Sequence, residues 1–116
     1  MVMQHGLHLL LDGISRHLLT SLEIHSFLSE CPRVLGLKIF FGPAVYPMES
    51  GFQGIVLVAE SHCSVRTVGL ETYCDIFSCR PFATEPVMEL AHELLFLDRK
   101  SKPRQQVLRR GWGQPD

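Results

Sequence analysis

The spacing of apolar and polar positions changes along this chain, and each change predicts a new element. Gly6 to Asp12 (GLHLLLD) is an apolar run that predicts a strand, broken by Gly13. Thr20-Ser21-Leu22-Glu23 has capping-box spacing, with Thr20 as N-cap and Glu23 at the third helical position. Ile24, Phe27, Leu28 and Cys31 then recur at three- and four-residue steps, which predicts a helix with one apolar face, and Pro32 is expected to stop it. Val34 to Phe41 (VLGLKIFF) predicts a second strand, punctuated by Gly42-Pro43, and Pro47 to Gly51 predicts a loop. The stretch Gly54 to Thr67 (GIVLVAESHCSVRT) predicts a third strand; its apolar run, Ile55 to Ala59, ends abruptly in Glu60-Ser61-His62, and Gly69 marks a turn after it. Glu71 to Cys79 (ETYCDIFSC) alternates, so Asp75, Phe77 and Cys79 are expected on one face and Cys74, Ile76 and Ser78 on the other. Thr84 is expected to cap a second helix, with Glu85 and Pro86 in its first turn and Val87, Leu90, Ala91, Leu94 and Leu95 as its apolar stripe.

Strand, helix, three strands, helix is the order of an α+β two-layer sandwich, an antiparallel sheet with helices on one face. Residues 1–97 are expected to form that domain. Residues 98–116 differ in kind: Arg99, Lys100, Lys102, Arg104, Arg109 and Arg110 crowd together with Pro103 and a Gly-Trp-Gly, which predicts a basic, flexible tail. A nucleic-acid reader would need a structured basic face with several aromatics, and Trp112 is a single one, so no nucleic-acid partner is expected.

Bulk properties narrow the classes. A chain of 116 residues supports one core. A net charge of −1 gives no overall attraction to nucleic acid or to an anionic membrane. No apolar stretch approaches the length of a spanning helix, and the opening MVMQHGLHLLLDG lacks the charged region and cleavage site of a signal peptide. A cytoplasmic location without membrane contact is expected, and there Cys31, Cys63, Cys74 and Cys79 are expected as thiols.

The candidate chemistry lies at Glu60-Ser61-His62, where an acid, a hydroxyl and an imidazole follow one another at a strand end. A Ser-His hydrolase does not fit, because adjacent strand residues point to opposite faces and no G-x-S-x-G elbow is present. His62, Cys63, Cys74 and Cys79 do not have the spacing of paired metal ligands, so no metal is expected. The longer pattern, Ala59-Glu60-Ser61-His62 followed by Asp75-Ile76-Phe77-Ser78-Cys79, resembles the prokaryotic S-adenosylmethionine decarboxylases. Gly6, His8 and Asp12 match the opening of that family, and the resemblance runs from about Gly6 to Leu97. By itself His8 reads as a half-buried structural residue.

The resemblance implies a pyruvoyl-dependent decarboxylase of polyamine synthesis. It implies self-cleavage between Glu60 and Ser61, with Ser61 becoming a pyruvoyl cofactor. That group would form a Schiff base with a small amine substrate, with S-adenosylmethionine as the expected one. It implies Ser61, Cys79, His62 and Glu60 as catalytic residues, with Cys79 as proton donor after decarboxylation. It also implies a homodimer of processed protomers with active sites at the subunit interface. Three positions depart from the family pattern. Arg66 stands where a histidine assists processing, and Gln53 stands where a serine does. The adenine-stacking aromatic falls on Pro47, with Tyr46 beside it as substitute. Arg66, Glu71, Tyr46 and Gln53 are accordingly the expected substrate-binding set, Arg66 being expected near Ser61 as a holder of the substrate carboxylate or as a solvated cation. The alternatives are an arginine or ornithine decarboxylase, or an unprocessed, non-catalytic homologue acting as partner subunit.

Overall fold

The opening apolar run extends further than its hydrophobic core suggests. In the computed structural model, which describes residues 3–112, strand β1 spans Met3–Ile14. Helix α1 (Ser21–Leu35) starts on the expected capping box: the Thr20 hydroxyl accepts from the Glu23 N–H at 3.1 Å, and the Glu23 carboxylate accepts from the Thr20 N–H at 2.8 Å. Pro32 does not stop this helix. Cys31 and Pro32 are both buried in the core, and the helix runs one turn further to Gly36. There a φ of 71° suits only glycine well, and the Gly36 N–H closes on the Arg33 and Pro32 carbonyls.

Strand β2 therefore starts late, at Ile39, and runs through Gly42-Pro43 to Met48. It is an edge strand with two register shifts, the setting in which a strand tolerates proline. The Gly54–Thr67 stretch is two strands, β3 (Gly51–Val58) and β4 (Ser61–Val68), joined by a two-residue turn at Ala59-Glu60. Strand β5 spans Glu71–Ser78, and α2 spans Thr84–Leu94. The N-cap of α2 is Ala83 rather than Thr84, and no side chain caps it.

The expected flexible tail is largely ordered secondary structure. A 3₁₀ turn at Arg99–Ser101 leads into β6 (Arg104–Trp112), which pairs antiparallel with β1 along most of its length. Residues 113–116, the end of that expected tail, lie outside the described residues. The physical reason is an open edge: without β6, the outer N–H and C=O groups of β1 would have no partner.

Six described strands form one antiparallel sheet in the order β2-β3-β4-β5-β1-β6. Both helices pack on one face, as a two-layer α+β sandwich requires. Leu9, Leu11, Val56, Val65 and Ile76 from the sheet meet Ile24, Phe27 and Leu28 from α1 and Val87, Ala91 and Leu95 from α2. Gly54 lets α1 approach, since a Cβ there would come within 2.8 Å of Leu28. Cys31 and Cys63, both free thiols, meet in this core with sulfurs 3.1 Å apart. Their shared hydrogen bond, then burial, pushes the Cys31 thiol far up, so it stays protonated. Among the described residues the other sheet face carries no helix. No described helix is long and apolar enough to cross a membrane.

Candidate active site

The turn between β3 and β4 is short because Val58 pairs directly with Ser61. That leaves Ala59 and Glu60 to reverse the chain, and Glu60 adopts a φ of 55°. For a residue with a Cβ this left-handed conformation costs about 1–2 kcal/mol. Hairpin turns usually place Gly or Asn at such a position. The strained residue immediately precedes Ser61.

Ser61 opens β4 and is buried. Its Oγ accepts a hydrogen bond from the Cys79 N–H at 3.2 Å. The antiparallel register makes this contact: β5 ends at Ser78, alongside the start of β4, so the chain just beyond β5 crosses Ser61. Cys79 thus lies after the strand rather than on the face of Asp75 and Phe77, and it is half-buried.

His62 points to the uncovered face. It stands opposite Phe77, and Phe77 stands opposite His8 on β1. The His8 and His62 ring centroids are 6.3 Å apart. His8 Nε2 lies 3.1 Å from Asp75 Oδ1. Arg110 Nη1, from β6, lies 3.5 Å from His8 Nδ1. A guanidinium can only donate and a carboxylate only accept, so a neutral His8 would accept at Nδ1 and donate from Nε2 to Asp75. Burial, and then the neighbouring His8, pushes the His62 imidazole below its usual pKa, and Asp75 opposes this. His62 is therefore neutral at neutral pH, with a lone pair available. A cavity of about 370 Å³ gathers His8, Glu60, Ser61, His62, Phe77 and Arg110. A larger cavity of about 940 Å³ lies at the opposite end of the sheet, around Leu70, His92 and Arg99, away from these groups.

The expected substrate-binding residues are elsewhere. Tyr46 pairs with Gln53, Gln53 with Arg66, and Arg66 with Tyr73, forming one row across the uncovered face. Glu71, at the start of β5, accepts from the Tyr73 hydroxyl at 2.9 Å. Arg66 was expected near Ser61 on a shared turn. Instead β4 is extended between them, and five residues at ~3.3 Å each separate the two by about 16 Å. Arg66 lies over the Tyr73 ring instead, 5.9 Å from its centroid. So Ser61, Cys79, His62 and Glu60 come together at one end of the sheet, and Tyr46, Gln53, Arg66 and Glu71 lie toward the other.

The sequence reading did not place His8, Asp75, Phe77 and Arg110 at the site. Asp75 and Phe77 were legible as strand alternation and as part of the motif that leads to Cys79, not as lining of the site. Arg110 was hidden in a basic run that resembles a tail. Among the described residues no cluster of His, Cys, Asp and Glu could hold a metal ion.

The family model for S-adenosylmethionine decarboxylase matches residues 7–111. The chain belongs to the S-adenosylmethionine decarboxylase family. The match reaches through β6, so this strand lies within the family domain. The crystal structure of the adenosylmethionine decarboxylase from Aquifex aeolicus VF5 superposes with a TM-score of 0.78 at 21% identity, covering 98% of this chain and 97% of that one. At that identity the likeness is one of fold. No curated protein sequence matches the chain.

Proposed function

We propose that this chain is a self-cleaving, pyruvoyl-dependent decarboxylase acting on S-adenosylmethionine, cut between Glu60 and Ser61. The observation that carries the reading is the left-handed Glu60 joined to a serine whose Oγ is held by the Cys79 N–H. Strain of this kind raises the energy of the peptide to be broken, and the hydrogen bond restricts the hydroxyl that attacks it. Ser61 Oγ adds to the Glu60 carbonyl carbon, the C–N bond breaks, and the nitrogen leaves as the Ser61 amine, giving an ester. Loss of the Ser61 Cα proton expels the Glu60 carboxylate. Water then replaces the nitrogen, which departs as ammonia, leaving a pyruvoyl terminus at residue 61. Neutral His62 is the adjacent base for the Cα proton.

The residues present fit that group: the serine that forms it, a neighbouring imidazole and a half-buried thiol stand at one turn. Once formed, it supplies a carbonyl that condenses with an amine and takes up the electron pair released as CO2 leaves. Cys79 is the proton donor to the carbon that lost CO2.

The two rows on the uncovered face support a homodimer. A two-fold axis lying between two such faces, perpendicular to the strands, sets the Ser61 end of one sheet over the Arg66 end of the other, at a stacking distance of about 10 Å. Gln53 and Arg66 then serve the partner's cleavage turn, and Tyr46 and Glu71 the partner's substrate.

Intact-mass spectrometry tests the cleavage. The expected fragments are 1–60 and 61–116, the second lighter by one ammonia than a serine-started chain. CO2 release from S-adenosylmethionine, arginine and ornithine then assigns the substrate. A single uncut chain under all conditions refutes the proposal and leaves the non-catalytic partner subunit.

A further inference from the structure

We infer that Arg110, on the edge strand β6, binds the carboxylate that the substrate loses as CO2. The inference rests on the proposed decarboxylase reading and adds to it a residue for the leaving group. Among the described residues, Arg110 is the sole lysine or arginine lining the cavity that contains Ser61. Among the described residues it forms no ion pair; its contacts are the 3.5 Å approach to His8 Nδ1 and the Phe77 ring, whose centroid is 6.0 Å from Cζ. The two contacts place the guanidinium beside an imidazole and an aromatic ring and, among the described residues, leave donors unused. Any α-amino acid that presents its amine at residue 61 carries its carboxylate on the same carbon. That carboxylate lies inside this cavity, where the other charged group is Glu60, of the wrong sign. Arg66, the cation expected there from the sequence, is about 16 Å along the strand.

The role has a kinetic signature. The carboxylate is an anion in the bound substrate and becomes neutral CO2, so the contact with Arg110 weakens on the way to the transition state. Such an interaction lowers KM without raising kcat. It also discriminates ligands: the amine product has lost the carboxylate and has nothing for Arg110 to hold.

The test compares wild type, Arg110→Gln and Arg110→Lys, each confirmed as two chains by mass. Arg110→Gln is expected to raise KM about tenfold or more with kcat equal or higher, and Arg110→Lys to recover most of the loss. Calorimetry gives a readout independent of turnover. The probe is the 2-hydroxy acid analogue of the substrate, which keeps the carboxylate and cannot condense with a carbonyl. It is expected to bind Arg110→Gln about tenfold more weakly, while the decarboxylated amine binds both proteins equally. Equal loss for both ligands, or a fall in kcat at constant KM, overturns the inference in favour of a structural role for Arg110. Unchanged affinity for the hydroxy acid, with loosened association of fragments 1–60 and 61–116, overturns it in favour of a clamp on the new Glu60 carboxylate. In both cases the decarboxylase reading stands, whereas an uncut, inactive wild-type chain overturns the two together.

Discussion

If the left-handed Glu60 stores strain used in cleavage, removing its Cβ without changing anything else should both stabilise the uncut chain and slow its cleavage. The informative comparison is Glu60→Ala against Glu60→Gly, since both lack the carboxylate and differ by one carbon. A Cβ at a φ of 55° costs about 1–2 kcal/mol. Glycine returns ~0.4–1 kcal/mol of that through the larger entropy of its unfolded chain. The net expectation is that Glu60→Gly is more stable than Glu60→Ala by up to about 1.6 kcal/mol. For a domain of this size that is a rise in Tm of up to about 6 °C. The measurement uses a Ser61→Ala background, so that both chains stay intact. Cleavage is then followed in the Ser61 proteins after refolding, by gel and mass. If the strain is fully released in the transition state, Glu60→Gly cuts about 5–30-fold more slowly than Glu60→Ala. A Tm equal to or below that of the alanine variant refutes the strain. A higher Tm with an unchanged cleavage rate refutes its use.

Cys79→Ala should still yield two chains but lose most turnover, with CO2 release as the assay; Cys74→Ala, fully inside the core, should keep turnover and lose about 1–2 kcal/mol in denaturant unfolding. Burial lowers the folded-state pKa of both His62 and His92, so the unfolded chain binds more protons below pH ~6.5 and stability falls as pH drops through that value; His62→Gln should flatten part of that loss in Tm measured from pH 7 to 5, and an unchanged slope would remove His62 from the account. Arg66→His on an uncleavable Ser61→Ala chain should speed cleavage of a co-refolded wild-type chain if Arg66 serves the partner's turn, and acceleration only in cis would refute the face-to-face dimer. Val107→Pro should break the β1–β6 ladder at its Leu9 partner, which amide exchange on β1 would register, whereas unchanged protection would return residues 98–116 to a loose tail.

Local chemistry explains what was legible in the sequence. The Thr20–Glu23 box, the apolar stripes of both helices and the alternation of β5 depend on neighbours within a few residues, and they appear in the structure, with Leu95 just past α2 and Cys79 just past β5. The ESH motif and the Asp75–Cys79 motif likewise named the residues that meet at the Ser61 turn. Other features depend on partners distant in sequence. The Ala59-Glu60 turn contains none of the usual turn residues, because pairing of β3 with β4 imposes the reversal and Glu60 bears the strain. Pro32 ends a helix by local rules, yet burial of Cys31 and Pro32 carries α1 on to Gly36. The basic run after Asp98 has the composition of a solvated end, and only the open edge of β1 makes it a strand. That same pairing brings Arg110 beside His8, 102 residues away in the chain, while the extension of β4 sets Arg66 beyond reach of Ser61. Spacing along a chain measures distance only within one element; across a sheet, register decides which side chains meet.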